Sequence, residues 1–485
     1  MTAHANTLTP LLRKEVRALA PTFAAALAAV LIGGPSDDYA LVTIGLLGFV
    51  FGVVSLGAQT FGQEFHHRTL GLLLAQPIPR LRIYLIKFAA LSITIVTLTI
   101  ITLPLYGEKL ARAAYRDTQP AMLLMMATCG LFLAPCLAIL CRSTLAAFVF
   151  TIAIPGLLAV SGDLLGTWMY GLPNAAAIDA FKADVFWRAM SATCGLAAIA
   201  SWWLFGRLEV IEGHREIALP DWLTFRPRTD VRSRRFIRSL VSKELRLQQI
   251  TFVVALLYAA TMVVLPWLNN LTIENLGDAR RGVTILQAGL VALLIGSLSS
   301  AQERHLGMLE WQAVQPVSAW KQWTVKVAVA LSLAILMGVA LPALLGFWDI
   351  SPRSRQVPAS WMAMFVIALT TASLYISTLC RNSMSAFVLS IPVMSVASAL
   401  ATTLQSLLVS LIAHAYNLPR YRVRPVDVSG PHLWVVLVLT AGLLWFGFVN
   451  HRTADRSVRR VALQTLALAG SFVAGLTMVI LRVGR

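Results

Sequence analysis

Charged residues are scarce in this chain of 485 residues: Asp, Glu, Lys and Arg make up 13% of it, whereas 58% of its residues are hydrophobic. Soluble domains carry about twice that share of charge. No polar stretch is long enough to hold a folded domain of about 50 residues. A soluble enzyme with a single membrane anchor is therefore excluded. The mean hydropathy of +0.73 indicates a polytopic membrane protein.

Several motifs that would indicate nucleotide binding or catalysis are missing. The sequence has no GxxxxGK[ST] phosphate loop, no HExxH motif and no GxSxG nucleophile elbow. The pair His66-His67 lacks the i, i+4 spacing of a zinc site on a helix face. The five cysteines form no CxxC pair and predict neither a zinc site nor a disulfide framework. We therefore expect no catalytic residue, no metal site and no cofactor bound by this chain.

Acidic residues are outnumbered: 40 Lys and Arg against 22 Asp and Glu give a formal net charge of +18. In a soluble protein this excess would suggest nucleic-acid binding, but no nucleic-acid-binding module accompanies it. The basic residues concentrate instead in loops on alternate sides of apolar segments, as the positive-inside rule describes. We therefore expect these basic residues to lie at the surface of a lipid bilayer, and we expect no nucleic-acid partner.

Thirteen apolar runs are long enough to cross a bilayer. They lie at about 17–34, 39–62, 83–107, 120–141, 144–169, 185–206, 250–268, 282–302, 324–348, 359–380, 384–412, 431–449 and 461–481. Unbroken runs of about 20 apolar residues predict helices, whereas the strands of a membrane barrel would alternate over about 10 residues. The predicted fold class is an all-α polytopic membrane protein.

The loops predict the orientation of these spans. With a cytoplasmic N-terminus, the inside segments hold 26 of the 40 Lys and Arg residues, as the positive-inside rule requires. We therefore expect a multi-pass protein of the cell membrane with its N-terminus in the cytoplasm. The predicted domains are a first six-span half (1–206), a basic cytoplasmic linker with an interfacial helix (207–249), a second six-span half (250–450), and a basic segment with one additional helix (451–485).

An internal repeat relates the two halves. Residues 57–87 align without a gap on residues 296–326, at an offset of 239. The identical pairs are Gly57/Gly296, Gln63/Gln302, Glu64/Glu303, His66/His305, Leu70/Leu309, Gln76/Gln315, Pro77/Pro316 and Lys87/Lys326. Self-similarity at a fixed period indicates duplicated architecture. Six spans is an even number, so both halves enter the membrane from the same side and form two parallel six-helix repeats, followed by one C-terminal helix.

The repeat contains a cytoplasmic segment in each half, residues 63–80 and 302–319. Each segment begins where a span leaves the bilayer, continues as a short amphipathic helix, and stops at a proline. The acids Glu64 and Glu303 are expected just past the membrane exit, solvated or open to a partner's basic side chain. Lys87 and Lys326 are expected to snorkel at the mouth of the next span. An ordinary interfacial helix has the same pattern, but two retained copies favour a shared task.

These segments resemble the cytoplasmic connection of the ABC-2 type permease family, the membrane subunits of ATP-binding-cassette transporters. The matching residues are Glu64, Thr69-Leu70, Leu73-Leu74, Pro77 and Arg80 in the first half, and Glu303, Gly307, Leu309-Glu310, Pro316-Val317-Ser318 and Lys326 in the second. The first half lacks the glycine before Thr69, and the second has Met308 in place of threonine. The resemblance implies two fused permease halves around a central pathway.

The resemblance also implies partners and contact residues. Separate ATP-binding subunits, two copies, would hold ATP and Mg²⁺ and would dock on the repeated segments, and the cargo would be an exported amphipathic or lipid-like molecule. The residues implied in ATPase coupling are Gln63, Glu64, His66, Gln76, Pro77 and Lys87, with Gln302, Glu303, His305, Gln315, Pro316 and Lys326.

Two further groups of residues are candidates. Lys14, Glu15 and Arg17, with Lys243, Glu244 and Arg246, precede the first span of each half and are similar to the family's interfacial elbow helix; positive-inside anchoring explains Arg17 and Arg246 equally well. Asp163, Arg188 and His414 lie near the outer ends of spans. We expect them in polar re-entrant loops, residues 162–184 and 413–430, which in the family form an outer gate.

Other functions could use the same spans: a membrane-embedded enzyme, an assembly scaffold or a secondary transporter. An enzyme would need a deep cluster of paired acids or histidines. A proton- or sodium-coupled carrier would need Asp, Glu or His side chains in a line at mid-depth. The sequence shows neither pattern, so these functions are the less favoured alternatives.

The predicted topology has a direct test. Thirteen spans from a cytoplasmic N-terminus place Arg485 outside, and the run 461–481 has no counterpart in the first half. A reporter that is active only in the cytoplasm is expected to be active when fused after Arg460 and inactive when fused after Arg485. Activity at both positions would show that this last run does not cross.

Overall fold

The computed structural model describes most of the chain. The described residues are 8–35, 39–66, 69–75, 78–112, 121–170, 175–208, 233–269, 276–305, 317–346, 359–380, 382–394, 396, 410, 414, 431–453 and 458–483. Within these ranges the chain forms fifteen helices and no strand. The helices are α1 (Leu8–Gly33), α2 (Tyr39–His66), α3 (Leu70–Leu74), α4 (Arg80–Arg112), α5 (Ala121–Cys141), α6 (Thr144–Tyr170), α7 (Ala175–Gly206), α8 (Ser233–Leu247), α9 (Gln249–Asn269), α10 (Leu276–His305), α11 (Ala319–Leu344), α12 (Ala359–Leu379), α13 (Ser383–Met394), α14 (Pro431–Arg452) and α15 (Val458–Val483).

Each of the thirteen predicted apolar runs overlaps one of these helices. Eight helices of the described chain, α1, α2, α4, α5, α7, α10, α11 and α12, are long and apolar enough to cross a membrane, and α8 with α9 makes a ninth unit that is bent by 60°. The apolar parts of α6, α13 and α14 are shorter. The described part of α15 is not among the helices that combine both properties, although the helix has 26 residues. The protein is an all-α polytopic membrane protein, as predicted. Thirteen crossings remain a prediction.

Apolar runs fold into helices here because backbone N–H and C=O groups find no water inside a bilayer and must bond within the segment. Hydroxyl side chains within the runs follow the same rule. In α4, Thr99 donates to the carbonyl oxygen of Ile95 at 2.8 Å and Thr102 donates to that of Leu98 at 2.7 Å. Each hydroxyl is thereby satisfied within its own helix, so it does not interrupt the span.

The chain divides into two compact units. The first comprises residues 1–224 and 260–276, and the second comprises residues 225–259 and 277–485. The division therefore falls inside the predicted linker 207–249, within α9, and at the first residue of α10. The core of the first unit includes Val30, Phe49, Leu56, Leu98 and Tyr106, all nearly inaccessible. The Tyr106 hydroxyl in this core donates to the carbonyl oxygen of Val30 at 2.9 Å.

Each unit contains a close helix crossing at a glycine of the repeat. A Cβ atom on Gly57 would lie 2.0 Å from the carbonyl oxygen of Gly130 and 2.8 Å from Cβ of Ala134. In the second unit, a Cβ on Gly296 would lie 2.6 Å from Cβ of Ser373. Because Ala134 and Ser373 are also related by the offset of 239, α2 crosses α5 as α10 crosses α12. Small residues at such crossings let helix backbones approach closely in a membrane.

The start of the following helix is also duplicated. The backbone N–H of Ala146 donates to Oγ of Ser143 at 3.3 Å before α6, and that of Ser385 donates to Oδ1 of Asn382 at 2.6 Å before α13. Ser143 and Asn382 are related by the same offset of 239. Both are residue types that favour the N-cap position, where a side-chain oxygen satisfies a free N–H group. The repeat therefore extends beyond the segment of high sequence identity.

Other features differ between the units. In α5 a π-helical turn spans Cys129–Leu133, and in α11 one spans Leu336–Ala340. These positions are not related by the offset of the repeat. In α11 the turn leaves the carbonyl of Met337 to accept a hydrogen bond from Nε2 of Gln287 at 3.2 Å. Side chains from neighbouring helices thus satisfy backbone groups that irregular turns release.

The C-terminal helix α15, which has no counterpart in the first half, is attached to the second unit by buried amides. Gln464 and Asn450 exchange hydrogen bonds of 3.0 and 3.1 Å, and the Tyr375 hydroxyl donates to Oε1 of Gln464 at 3.0 Å. The opposite face of α15 exposes Leu463 and Leu466. Polar groups facing protein and apolar groups facing outward are the arrangement expected for a helix in lipid.

The predicted outer loop 162–184 is largely helical, which corrects the expectation of a polar re-entrant loop there. The helix α6 continues to Tyr170 and α7 already begins at Ala175. The physical reason is composition: apolar and alanine-rich residues on both sides of Gly171 favour helix over loop. The predicted loop 413–430 lies outside the described residues except for His414.

The duplicated crossing predicts how glycine substitutions behave. Gly57→Ala and Gly296→Ala should each destabilise the protein by about 1–3 kcal/mol, the usual cost of overpacking, because the new methyl group meets backbone rather than a movable side chain. Gly195→Ala in α7 is the control, since nothing lies within 4 Å of its Cβ position. Thermal unfolding of the full chain in detergent measures the effect. Equal melting temperatures for all three variants would contradict the two crossings.

Candidate functional site

The first unit contains a buried ion-pair cluster made of Glu15, Glu64 and Lys87, here called the first ion-pair cluster. The ammonium group of Lys87 lies 2.8 Å from a carboxylate oxygen of Glu15 and 2.9 Å from one of Glu64. It also donates to the carbonyl oxygen of Thr60 at 3.3 Å. Lys87 is only 2% exposed. The lysine is therefore held by three acceptors from two neighbouring helices.

Three helices supply the cluster. Glu15 lies in the second turn of α1, Glu64 lies near the end of α2, and Lys87 lies two turns into α4. The start of α4 is held separately, because Nη1 of Arg80 donates to the carbonyl oxygens of Gly206 and Leu208 at 2.9 and 3.0 Å. The helix ends at this side of the first unit are thereby tied together by charged side chains.

The segment that follows α2 is linked to the same cluster. The hydroxyl of Thr69 donates to the Glu64 carboxylate, and the backbone N–H of Thr69 donates to the Glu64 carbonyl oxygen at 3.0 Å. Thr69 directly precedes the short helix α3, which lies within the repeated segment 63–80. Any displacement of this segment at Thr69 therefore acts directly on Glu64.

The second unit contains the corresponding cluster, made of Lys243, Glu244, Glu303 and Lys326 and here called the second ion-pair cluster. Lys326 bonds to the Glu303 carboxylate and lies 4.0 Å from a Glu244 carboxylate oxygen. Lys243 bonds to Glu303 and lies 3.2 Å from Glu244. Glu303 is fully buried and Lys326 is 2% exposed. Two ammonium groups thus face two carboxylates.

The three residues of the first cluster each have a counterpart in the second, and Lys243 is the additional member. Glu64 and Glu303, and Lys87 and Lys326, are related by the offset of 239, and Glu15 and Glu244 are related by the offset of 229. The backbone acceptor is duplicated as well, since Lys326 donates to the carbonyl oxygen of Ser299 at 2.8 Å as Lys87 does to that of Thr60. The same tertiary contact therefore occurs in both units.

This geometry corrects two expectations from the sequence. Glu64 and Glu303 were expected to be solvated, but they are 8% and 0% exposed, and each is paired with a lysine of its own unit. Lys87 and Lys326 do not snorkel to water, because each meets carboxylates at its own depth. The reason is that α1 and α8 contribute a second acid, so the lysine is compensated without reaching the surface.

Burial makes these ion pairs costly to break. Removing an ion from water costs several kcal/mol, and a pair repays that cost only with good geometry and additional hydrogen bonds. Glu64 and Lys87 each have more than one partner, as do Glu303 and Lys326. The charges are therefore mutually compensated, and the arrangement fixes helix positions rather than presenting a free acid or base.

The predicted interfacial elbow is a separate helix in one half only. In the second half, α8 meets α9 at 60°. In the first half, α1 runs unbroken through Lys14 and Arg17, both exposed. At the bend, Gln248 donates to the carbonyl oxygen of Ile295 and to Oγ of Ser299, both at 3.1 Å. Its counterpart at the offset of 229 is the apolar Leu19, which offers no such bond and lets the helix continue.

Within these elbow segments, Glu15, Lys243 and Glu244 belong to the ion-pair clusters, whereas Arg246 is exposed. The pattern of basic residues alone does not separate these roles. Glu15 and Glu244 are the informative positions, because an acid that recurs in two otherwise basic segments needs a cation of its own.

The remaining candidates for ATPase coupling are only partly described. Gln63 donates to Oε1 of Gln59 at 3.2 Å. Oε1 of Gln302 is buried and has no hydrogen-bond partner in the described part of the chain. His66 and His305 are the last residues of α2 and α10, and their side chains lie outside the described residues. The others outside the described residues are Gln76, Pro77, Gln315 and Pro316.

The three outer-gate candidates occupy different positions. Asp163 lies in α6, and its side chain is outside the described residues. Arg188 lies in α7, where its Nε is 2.8 Å from Oδ1 of Asp184. His414 is exposed. The described contacts do not bring these residues together, and a gating role remains a prediction.

Three residues at the clusters were not predicted as site residues: Thr69, Gln248 and His451. Of these, only Thr69 was noted at all, as a match to the family motif. Thr69 and Gln248 act through the contacts given above. The His451 ring lies 5.5 Å from that of Trp323, beside the second ion-pair cluster. The internal repeat could not have identified these residues, because none of them has the same residue type in the other half. The equivalent residues are Met308, Leu19 and Glu212. In the described residues, no group of three His, Cys, Asp or Glu side chains could hold a metal ion.

The clusters predict a strong effect of removing a buried lysine. Lys326→Met should destabilise the protein by about 3–5 kcal/mol, because Glu303 and Glu244 would then share one cation in a buried site. Lys321→Met is the control, since Lys321 is exposed on the same helix. Chemical or thermal unfolding of the full chain in detergent measures both. Adding Glu303→Gln to Lys326→Met should recover part of the loss, and equal stability of the two lysine variants would contradict the pairing.

Comparisons of the chain with protein-family models, with curated proteins and with solved structures found no match. The assignment of function therefore depends on the chain's own geometry. That geometry is an all-α, multi-pass membrane protein whose two units each contain the same buried ion-pair cluster at the end of a repeated segment.

Proposed function

We propose that the chain is the permease subunit of an ATP-binding-cassette exporter of the ABC-2 type, with two permease halves fused in one polypeptide. Two separate ATP-binding subunits hold ATP and Mg²⁺ and dock on the repeated cytoplasmic segments. The chain lies in the cell membrane with its N-terminus in the cytoplasm. The cargo is an amphipathic or lipid-like molecule. This proposal accounts for a duplicated membrane protein that has no phosphate loop of its own.

The observation that carries the proposal is the duplicated ion-pair cluster next to the docking segment. In the first half, the segment after α2 is flanked by Glu64 on one side and Lys87 on the other, and these two residues bond to each other. Lys87 also bonds to Glu15 of α1. A force applied to the segment therefore moves α1, α2 and α4 as one body. A permease needs such a connection between its docking surface and its spans.

The chemistry of the clusters also favours a mechanical role over catalysis. Acid–base catalysis requires a group that reaches the substrate and exchanges a proton with it. Here Glu64 points at Lys87, and in the other unit Glu303 points at Lys326, each pair inside its own unit. Paired in this way they position helices, which is the role the proposal gives them.

The proposal is tested by purifying the full chain with and without its ATPase. We expect the chain alone to show no ATP hydrolysis, and the chain with a co-purifying P-loop ATPase to show vanadate-sensitive hydrolysis. Gln76→Ala combined with Gln315→Ala should lower both ATPase binding and hydrolysis, because these residues lie in the two docking segments and outside the ion-pair clusters.

The matched control is Arg420→Ala combined with Arg422→Ala, in a loop predicted on the opposite side of the membrane. It should leave ATPase binding and hydrolysis unchanged. Hydrolysis by the chain alone would overturn the proposal. Identical binding and hydrolysis in the segment variant and the control would overturn the docking site.

A further inference from the structure

A narrow groove lies between α5 and α7 of the first unit, at the end away from the first ion-pair cluster. Lys87 lies near the start of α4, whereas α5 begins after α4 has crossed to the other end. The groove has a volume of about 250 Å³. This is below the range of about 300–1,000 Å³ for pockets that take drug-sized ligands, so the groove can hold only a segment of one extended chain. Its lining includes Leu124, Met125, Thr128, Trp187, Met190 and Ser191.

The groove opens to the outer surface of the helix bundle. Leu124 and Trp187 line it and are 47% and 38% exposed. In a membrane protein such apolar exposure faces lipid. Tryptophan is enriched where the hydrocarbon meets the headgroups, because its ring is apolar and its N–H is polar. The apolar part of the groove therefore lies next to the headgroup layer.

An exposed ion pair of α7 lies on the helix face that contributes Trp187 and Ser191 to the groove, and this pair is here called the rim. Nε of Arg188 lies 2.8 Å from Oδ1 of Asp184, and the two side chains are 79% and 53% exposed. Asp184, Trp187, Arg188 and Ser191 follow the spacing i, i+3, i+4, i+7, which places them on one face of α7. The pair uses one guanidinium nitrogen and one carboxylate oxygen. In the described structure, the remaining N–H donors of Arg188 and the second carboxylate oxygen of Asp184 can bond to a ligand.

We propose that this groove binds phosphatidylethanolamine, with one acyl chain in the groove and the headgroup across the rim. The phosphate accepts hydrogen bonds from the Arg188 guanidinium, a geometry that arginine favours. The ammonium group donates to the Asp184 carboxylate. A rim with one cation and one anion matches a zwitterion that carries N–H donors. Phosphatidylglycerol lacks the amine, and the choline headgroup has no N–H to donate. This inference does not depend on the proposed transport function.

The test is lipid binding to the full-length, delipidated chain in detergent, followed by native mass spectrometry. Phosphatidylethanolamine, phosphatidylcholine and phosphatidylglycerol with identical acyl chains are titrated separately. We expect the dissociation constant of the ethanolamine lipid to be lower by about two- to fivefold, the range of one exposed ionic contact. Asp184→Asn should abolish this preference, and Arg188→Gln should weaken binding of all three lipids. Both substitutions are at exposed positions and leave the fold intact.

The groove itself is tested on the same helix. Ser191→Trp should fill the groove and remove lipid binding, whereas Leu196→Trp, at a position that is 69% exposed and outside the groove, should retain it. Equal affinity of the wild-type chain for the three headgroups would overturn the assignment of the ligand. Equal binding by the two tryptophan variants would show that the lipid only coats the surface, and would overturn the site.

Discussion

A lysine buried at the end of a membrane helix bundle constrains everything around it. An uncompensated ammonium group there would cost several kcal/mol, so carboxylates from other helices must reach it at the same depth. In the first unit these come from α1 and α2, which forces the two helices and α4 to meet at one point. The loop between α2 and α4 must therefore bring Glu64 and Lys87 back to the same depth.

The two units compensate the buried lysine and glutamate with partly different residues, and the difference determines which neighbouring segment each cluster contacts. In the first unit, Glu64 takes its extra hydrogen bond from Thr69, the residue that leads into the repeated segment. In the second unit, the position of Thr69 is occupied by Met308, which has no hydroxyl, and Glu303 takes a second lysine, Lys243, from α8. The first cluster is therefore linked to the repeated segment 63–80, and the second is linked to α8.

Much of the fold could be predicted from the sequence because bilayer length and backbone satisfaction leave few choices. The repeat predicted which residues the two halves share, including Glu64 and Lys87. It could not show that they pair with each other, because they lie 23 positions apart on two different helices. The periodicity of a helix shows which of its faces is buried but not which helix that face contacts. The unbroken α1 and the bend between α8 and α9 were also beyond prediction, because the contacts at the bend, such as those of Gln248, are made with another helix.

Stability alone does not explain why both units keep buried charges. Replacing a buried ion pair with well-packed apolar residues is often neutral or stabilising, and apolar residues are abundant in this chain. A polar cluster differs from an apolar contact in that it has few acceptable arrangements, since each charge must keep its partners. Helices joined in this way move together or separate at a high cost. That property suits a point through which force from a docked partner reaches the spans, which is why the clusters, rather than the apolar core, carry the proposed function.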